Sequence, residues 1–272
     1  MKEEIILYWI AASLYGFGSI FAIIGFVFKK ERLTHIALFL CAIGLVPHGA
    51  SILIRWIRVG HGPYINMYEV ISSNTWVAML FYLLVQKRLT FLKQASFVVI
   101  PVIFLALGFG LMASARDIPL PPSLRSYWLV LHVLFAKLTV GSFLIAFGSA
   151  VLYLYKDNDK HKQLLPHQSL DKLDIAIYRF NALGFAFCVI MIIAGSIWAN
   201  NAWGRYWGFD PIETWSLVVW LVYGLFLHLR LNRNWVGRRS ALLTIVLFFL
   251  SIVAFFFIPY LFKTVHSEYL VR

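Results

Sequence analysis

The sequence contains 272 residues, of which 61% are hydrophobic and only 13% charged, and its mean hydropathy is +0.79. This composition excludes an ordinary soluble globular domain. A net charge of +12 would suggest nucleic-acid binding in a soluble protein. Here the basic residues bracket apolar stretches, so we expect the chain to lie in membrane lipid and not to bind nucleic acid.

Apolar stretches long enough to cross a bilayer recur along the whole chain. Eight transmembrane helices are predicted, at about 5–28, 33–54, 70–86, 95–114, 128–155, 175–197, 212–231 and 239–262. The first stretch is too long for the apolar part of a signal peptide and lacks a small-residue cleavage site. The sequence therefore predicts an all-α polytopic integral membrane protein with one transmembrane domain over residues 1–272.

The basic residues divide unevenly between the two sets of alternate loops. One set carries fourteen: Lys29, Lys30, Arg32, Lys87, Arg88, Lys93, Lys156, Lys160, Lys162, Lys172, Arg230, Arg233, Arg238 and Arg239. The opposite set carries eight: Lys2, Arg55, Arg58, Arg116, Arg125, Arg205, Lys263 and Arg272. Since positive charge marks the inner side of a membrane, both termini are expected on the outer side.

The outer connector between helices 6 and 7, residues 198–215, is unusually rich in aromatic residues. It contains Trp198, Trp203, Tyr206, Trp207, Phe209 and Trp215. Rigid rings crowded beside glycines suit a large planar apolar ligand, although membrane interfaces also carry aromatic belts. Asp210, Pro211 and Glu213 match an N-cap, a first helical position and a capping box, which gives both acids a sufficient structural explanation.

Two histidines lie on the same membrane side as this connector. His132 follows the start of helix 5 by about 7 Å at ~1.5 Å per residue, and His266 lies just past helix 8. Two imidazoles beside an aromatic platform are what six-coordinate haem binding requires. Alternatively, His132 hydrogen-bonds a neighbouring helix and His266 is an interfacial residue; spacing alone slightly favours this structural alternative.

His228 lies near the opposite, inner end of helix 7, where an ionisable residue suggests a function. One imidazole cannot hold haem as a six-coordinate complex, so a partner subunit or, within the chain, His35 would supply the second ligand. The segment 60–69 before helix 3 is either a turn that starts the helix or a second outer contact surface. Cys41 and Cys188 fall inside predicted spans without a CxxC pattern and indicate no thiol chemistry.

The residues resemble the cytochrome c biogenesis proteins called CcsA or ResC, the haem-handling membrane subunit of the system II pathway. Residues 203–215, WGRYWGFDPIETW, are similar to the tryptophan-rich WWD segment of that family, and the contexts of His132, His228 and His266 follow in its order. The run from Gly60 to Glu69 is also similar to a family signature. Phe209 and Ile212 differ from the residues usual in the family, Trp and Lys, and Glu268 interrupts its usual tail.

The resemblance implies a transient, non-covalent complex with haem b, held by His132 and His266 as outer axial ligands, with His228 at a site nearer the inner face. The connector residues expected to contact the haem are Trp198, Trp203, Tyr206, Trp207, Phe209, Asp210 and Trp215. It implies a CcsB/ResB-type partner subunit and action as a subunit of a cytochrome c synthetase, or haem lyase. That complex would export haem and join it to the CxxCH thiols of apocytochrome c. A further protein would keep those thiols reduced.

The residues carry no evident nucleophile, so the role expected for the chain is to position haem. One alternative is a haem exporter or chaperone without ligation activity. A small-molecule transporter is a weaker alternative, because the sequence shows no internal repeat and Lys137 is the main cation within a span. The expected location is a plasma or inner membrane with the haem site outward, or a thylakoid membrane.

Overall fold

The structure, a computed structural model, describes residues 2–158, 169–262 and 264. In these ranges the regular secondary structure is helical throughout, without a β-strand. Eight helices among the described residues are long and apolar enough to cross a membrane. The predicted all-α polytopic membrane fold is confirmed.

The chain divides into two compact units, Met1–Pro119 and Leu120–Arg272. Unit 1 contains α1 (Lys2–Val27), α2 (Glu31–Val59), α3 (Met67–Arg88) and α4 (Ser96–Met112), with a 3₁₀ helix over Thr90–Ala95 before α4. In this unit α1 packs along α2 and α4, and α3 packs on both. The core between them holds the fully buried tyrosines Tyr8, Tyr15 and Tyr82.

Unit 2 begins with a short 3₁₀ helix, Pro122–Leu124, and continues with α5 (Tyr127–Asp157), α6 (Leu170–Trp203) and α7 (Pro211–Asn232). It then contains α8 (Arg238–Ile252), a π-helical turn over Val253–Phe257 and α9 (Ile258–Leu261). Here α5 packs along α6 and against α8, whereas α7 lies against α6 and α8.

Short polar residues cap the N-termini of α3 and α5. Asn66 caps α3 by accepting the N–H of Glu69, and Ser126 caps α5 by accepting the N–H of Trp128. Each side chain satisfies an N–H that has no partner inside its helix. In unit 2 the beginnings of α5 and α7 and the end of α6 lie at one end, which we call the connector end.

The predicted spans agree with the helices in number and order, but the predicted connector 198–215 is too long. Helix α6 continues to Trp203 and α7 begins at Pro211, so only Gly204–Asp210 connects them. The polar residues Asn200 and Asn201 lowered the local hydropathy without ending the helix, because helical hydrogen bonds need no apolar side chain. The single transmembrane domain over 1–272 stays a prediction.

Candidate functional site

His132 lies in the second turn of α5, facing α6. Its Nδ1 is 2.9 Å from the carbonyl oxygen of Met191. Because a carbonyl oxygen only accepts, Nδ1 must carry the hydrogen, and in the neutral ring Nε2 then holds the lone pair. A histidine that ligates a metal is held in the same way, with its other nitrogen donating to a carbonyl or carboxylate.

Gly195 of α6 makes this contact possible. A Cβ atom on Gly195 would lie 2.6 Å from Nδ1 of His132, so any side chain there would push the imidazole away. One turn further along α6, the buried Trp198 has its ring centroid 6.3 Å from that of His132 and donates its indole N–H to the carbonyl of Ser123 at 2.9 Å. The histidine therefore sits in a fixed seat of helix backbone and indole.

The backbone of the connector Gly204–Asp210 is held from both flanking helices. The Ser196 hydroxyl of α6 donates to the carbonyl of Tyr206 at 2.8 Å. From α7, Oε2 of Glu213 accepts the N–H groups of Gly208 at 2.7 Å and Asp210 at 3.2 Å. Asp210 itself caps α7 within a capping box, as predicted. Both acids thus fix the connector, and we assign neither a direct chemical role.

The aromatic rings at the last residue of α6 and in the connector are only partly covered. Trp203, 4.9 Å from Trp198 between ring centroids, ends α6 half-buried, and Trp207 stands nearly perpendicular to Phe209 at 6.4 Å. Tyr206 and Phe209 are 60% and 79% exposed. Phe209 also has φ +56°, a left-handed conformation that costs a residue with a Cβ atom about 1–2 kcal/mol. A bulky apolar ring is therefore presented at the surface despite its backbone cost.

Of the remaining predicted site residues, two lie on α7 and one lies outside the residues that the structure describes. Trp215 is half-buried in the second turn of α7. His228 is exposed near the far end of α7, where the Asn232 side-chain amide lies 3.1 Å from its Nδ1. With the Asn232 amide as donor, the hydrogen of the neutral His228 ring is on Nε2, the reverse of the His132 arrangement. His266 lies outside the described residues.

Sequence reasoning missed a clasp beside His228. Arg230 donates twice to the Asp174 carboxylate of α6, at 2.7 and 2.5 Å, and Asp174 also accepts the N–H of Gly237 at 2.7 Å. The clasp ties α6, α7 and the α7–α8 loop together at this end. His35, the internal alternative ligand, lies in unit 1 with Nε2 3.2 Å from the Lys93 ammonium nitrogen.

The segment 60–69 of unit 1 is a helix start surrounded by buried charge, which fits the first of its two interpretations. Glu69 accepts Nε of Arg55 at 2.8 Å and the N–H of Ile65 at 3.0 Å, and Arg55 also reaches Glu4 at 3.2 Å. All three charged residues are at most 4% exposed. Because these three residues are far apart in the sequence, no local pattern indicates that Arg55 pairs with Glu4 and Glu69.

Two neighbours of this cluster are equally enclosed. Both ring nitrogens of the buried His61 face carbonyl oxygens, of Gly62 at 2.9 Å and Ile118 at 3.0 Å. Burial raises the pKa of Tyr64 above its ordinary value, which keeps its hydroxyl neutral. Across residues 2–158, 169–262 and 264, no group of three or more His, Cys, Asp or Glu is placed to hold a metal ion.

Comparisons with known proteins agree with this architecture. The sequence pattern of a family described as cytochrome c assembly protein matches residues 64–266. The cytochrome c biogenesis protein CcsA of Trieres chinensis is 33% identical over 78% of this chain and 80% of its own length. CcsA of Prochlorococcus marinus is 35% identical, with 80% of each chain covered.

A solved structure, the cytochrome c haem lyase CcmF, shares the fold with a TM-score of 0.68 over 93% of this chain at 16% identity. This chain spans only 46% of the length of that protein. The likeness therefore concerns the fold of a polytopic helical membrane protein.

The fold and the connector define a multi-pass membrane protein with an aromatic, histidine-bearing end. This chain belongs to the cytochrome c assembly protein family. The predicted family and the predicted role in cytochrome c-type biogenesis are confirmed, and membership implies the handling of haem and of apocytochrome c.

Proposed function

We propose that the connector end of unit 2 binds haem b non-covalently and presents it for covalent attachment to apocytochrome c. The observation that carries this proposal is the seat of His132. The Met191 carbonyl holds Nδ1–H and leaves the lone pair on Nε2, and the exposed connector rings belong to the same end of the unit. An axial ligand and an apolar platform are the two features that haem recognition requires.

The residues present fit a planar, iron-containing substrate. Haem supplies the iron, which takes nitrogen ligands, and the vinyl groups to which thiols add. The chain would orient the haem: His132 would hold one axial position of the iron, and Trp198 and Trp203 would line the space around His132. Tyr206 and Phe209 offer ring surface that can cover a porphyrin face. The attacking thiols belong to the CxxCH motif of the client, so holding the reactants together is the catalytic contribution of this end.

Three further elements complete the proposal. His266 supplies the second axial ligand at the connector end, and His228 belongs to a second haem position nearer the other membrane face. A CcsB/ResB-type subunit supplies the ligand opposite His228, and a separate protein keeps the client thiols reduced. The complex acts as a cytochrome c synthetase that exports haem.

The connector end faces the outer side of a plasma, inner or thylakoid membrane. The charge bias supports this orientation, since the loops on the opposite side carry fourteen of the Lys and Arg residues.

The test is co-expression of the chain with its partner subunit and an apocytochrome c bearing CxxCH. The variants are His132→Ala, His132→Gly and, as a control histidine, His161→Ala. We expect wild type and His161→Ala to show a Soret band on purification and covalent haem in the client on a denaturing gel. His132→Ala should lose at least about tenfold of the covalent product, since metal sites depend steeply on their ligands.

Added imidazole should restore the product in His132→Gly, because it replaces the missing ligand. Wild-type maturation in His132→Ala would end the ligand assignment. Bound haem without any covalent product in the wild-type complex would instead identify a carrier that performs no ligation.

A further inference from the structure

The connector contains one charged side chain that neither caps a helix nor pairs with an acid among the residues that the structure describes. Arg205 is exposed and follows Gly204 directly. Its guanidinium lies against the backbone of Gly208: Cζ, Nε and Nη2 are 2.5, 2.7 and 2.7 Å from the point where a Cβ atom on Gly208 would stand. Three guanidinium atoms nearly equidistant from one point mean that the flat face of the group covers Gly208. Its N–H edges are therefore directed sideways.

The carboxylates nearest in sequence are already engaged. Asp210 accepts the N–H of Ile212 at 2.9 Å, and Oε2 of Glu213 accepts two connector N–H groups. No salt bridge joins Arg205 to a carboxylate of the described residues. The connector thus holds the guanidinium in a fixed position, where no carboxylate of the described residues uses its N–H donors.

The surroundings specify the chemistry of that missing partner. Arg205 adjoins Tyr206 and lies four residues before Phe209, the two most exposed rings of the connector. A ligand that matches both features has a planar apolar body and a carboxylate at its edge. Guanidinium binds carboxylate through two parallel N–H···O bonds, which fixes orientation as well as position.

We propose that Arg205 binds a propionate carboxylate of haem, an inference that rests on the proposed function. The aromatic rings alone would accept the porphyrin in any in-plane rotation, because they contact an apolar face. A cation at one side of the platform breaks that symmetry. With the propionate edge held at Arg205, the vinyl-bearing part of the ring is directed away from the connector, toward the thiols of the client.

The seat explains why position 208 is glycine. A methyl group at residue 208 would occupy the space of the guanidinium, and the long arginine side chain would move away. Gly208 has no positive φ, so alanine is compatible with the local backbone. Gly208→Ala is therefore expected to reproduce an arginine variant without removing the charge.

The test compares two porphyrins on the purified full chain: haem, and haem whose propionates are both methyl esters. Both are titrated into wild type and into Arg205→Gln, Arg205→Lys and Gly208→Ala, with Arg125→Gln as the control for loss of an exposed arginine. Binding is followed by the Soret band. We expect Arg205→Gln to weaken haem binding about fivefold, as an exposed charge-assisted pair allows, and to leave the diester within about twofold.

Arg205→Lys should recover only part of the affinity, because an ammonium group cannot form two parallel N–H···O hydrogen bonds with one carboxylate. Gly208→Ala should behave like Arg205→Gln, and Arg125→Gln like wild type. Equal weakening of haem and diester in Arg205→Gln, or no weakening of either, would overturn the propionate contact while leaving haem binding itself intact. An equal loss for both porphyrins that returns in anionic lipid would instead show that Arg205 contacts lipid phosphate. Wild-type protein that binds neither porphyrin would overturn the proposed function as a whole.

Discussion

The helix ends around segment 60–69 in unit 1 and the connector end of unit 2 use polar residues in opposite ways. In unit 1, the buried Arg55 forms ion pairs with two buried carboxylates, Glu4 and Glu69, and Arg58 adds a second cation to Glu4. At the connector end, acids and hydroxyls hold the backbone, while Tyr206, Phe209 and Arg205 are exposed.

Under the proposed function, the difference separates charged residues that stabilise the fold from charged residues that bind a ligand. Buried ions that find all their partners inside the protein make a site rigid, and their loss is costly. Exposed rings, and an arginine that pairs with no carboxylate among the described residues, contribute little to folding and lie accessible at the surface. Density of polar and aromatic residues in a sequence does not distinguish the two, whereas burial does.

The largest effect is expected from Glu69→Ala. The change leaves the buried Arg55 with one acid fewer and removes the acceptor of the Ile65 N–H, so the protein should lose about 3 kcal/mol of stability. Thermal unfolding in detergent measures this loss. Glu3→Ala, at an exposed acid in the first turn of α1, is the control. Equal melting of both variants would show that the cluster is not structural.

A smaller loss is expected from Asp174→Ala, which opens the clasp beside His228. It removes both bonds from Arg230 and the acceptor of the Gly237 N–H, at a site about 11–14% exposed. We expect about 2 kcal/mol, in the range for hydrogen bonds to a charged group. Proteolysis at the α7–α8 loop should accelerate, and Asp171→Ala, an exposed acid one turn earlier, should not accelerate it. Unchanged cleavage would argue against the clasp.

Gly195→Ala tests whether the seat of His132, and not the histidine alone, determines haem binding. The added methyl group collides with Nδ1 and displaces the ring from the Met191 carbonyl. We expect about a tenfold loss of haem affinity, as for other changes to the partners of a metal ligand. Gly108→Ala is the matched control, since a Cβ atom there meets nothing within 4 Å. Wild-type haem affinity in Gly195→Ala would show that the bond between Nδ1 of His132 and the Met191 carbonyl does not determine haem binding.

The smallest effect is expected from Phe209→Gly, and its two parts have opposite signs. Glycine relieves the left-handed conformation and should raise stability by up to about 1 kcal/mol. Loss of the exposed ring should lower haem affinity severalfold. Phe209→Trp keeps a ring and should retain affinity. A variant Phe209→Gly with wild-type haem affinity would show that the ring is not part of the platform.

Sequence reasoning predicted the helical spans well because length and hydropathy determine which segments cross a membrane. It also found the capping box at Asp210 and Glu213, a strictly local pattern. It failed at the end of α6, where Asn200 and Asn201 look like loop residues yet are helical. The π-helical turn at Val253–Phe257 gave no local signal either.

For the site, the sequence identified the residue types but not their surroundings. The sequence makes His132 either a candidate ligand or a candidate structural histidine, and spacing alone slightly favours the latter. The observed bond to Met191 fits both, since holding Nδ1 is what prepares Nε2. The pairing of Glu4 with Arg55 and the placement of Arg205 on Gly208 depend on tertiary contacts and could not be read from hydropathy or local pattern.

The bonds from Ser196 and Glu213 to the connector backbone have a consequence for the rate of loading. A loop that must order itself around a ligand loses roughly 1 kcal/mol or more of conformational entropy per residue at that moment. Residues 204–210 are already held before any ligand arrives. Under the proposed function, haem capture is then limited by encounter and not by loop closure. The transfer of this reactive, easily oxidised ligand is not delayed by the ordering of the loop that receives it.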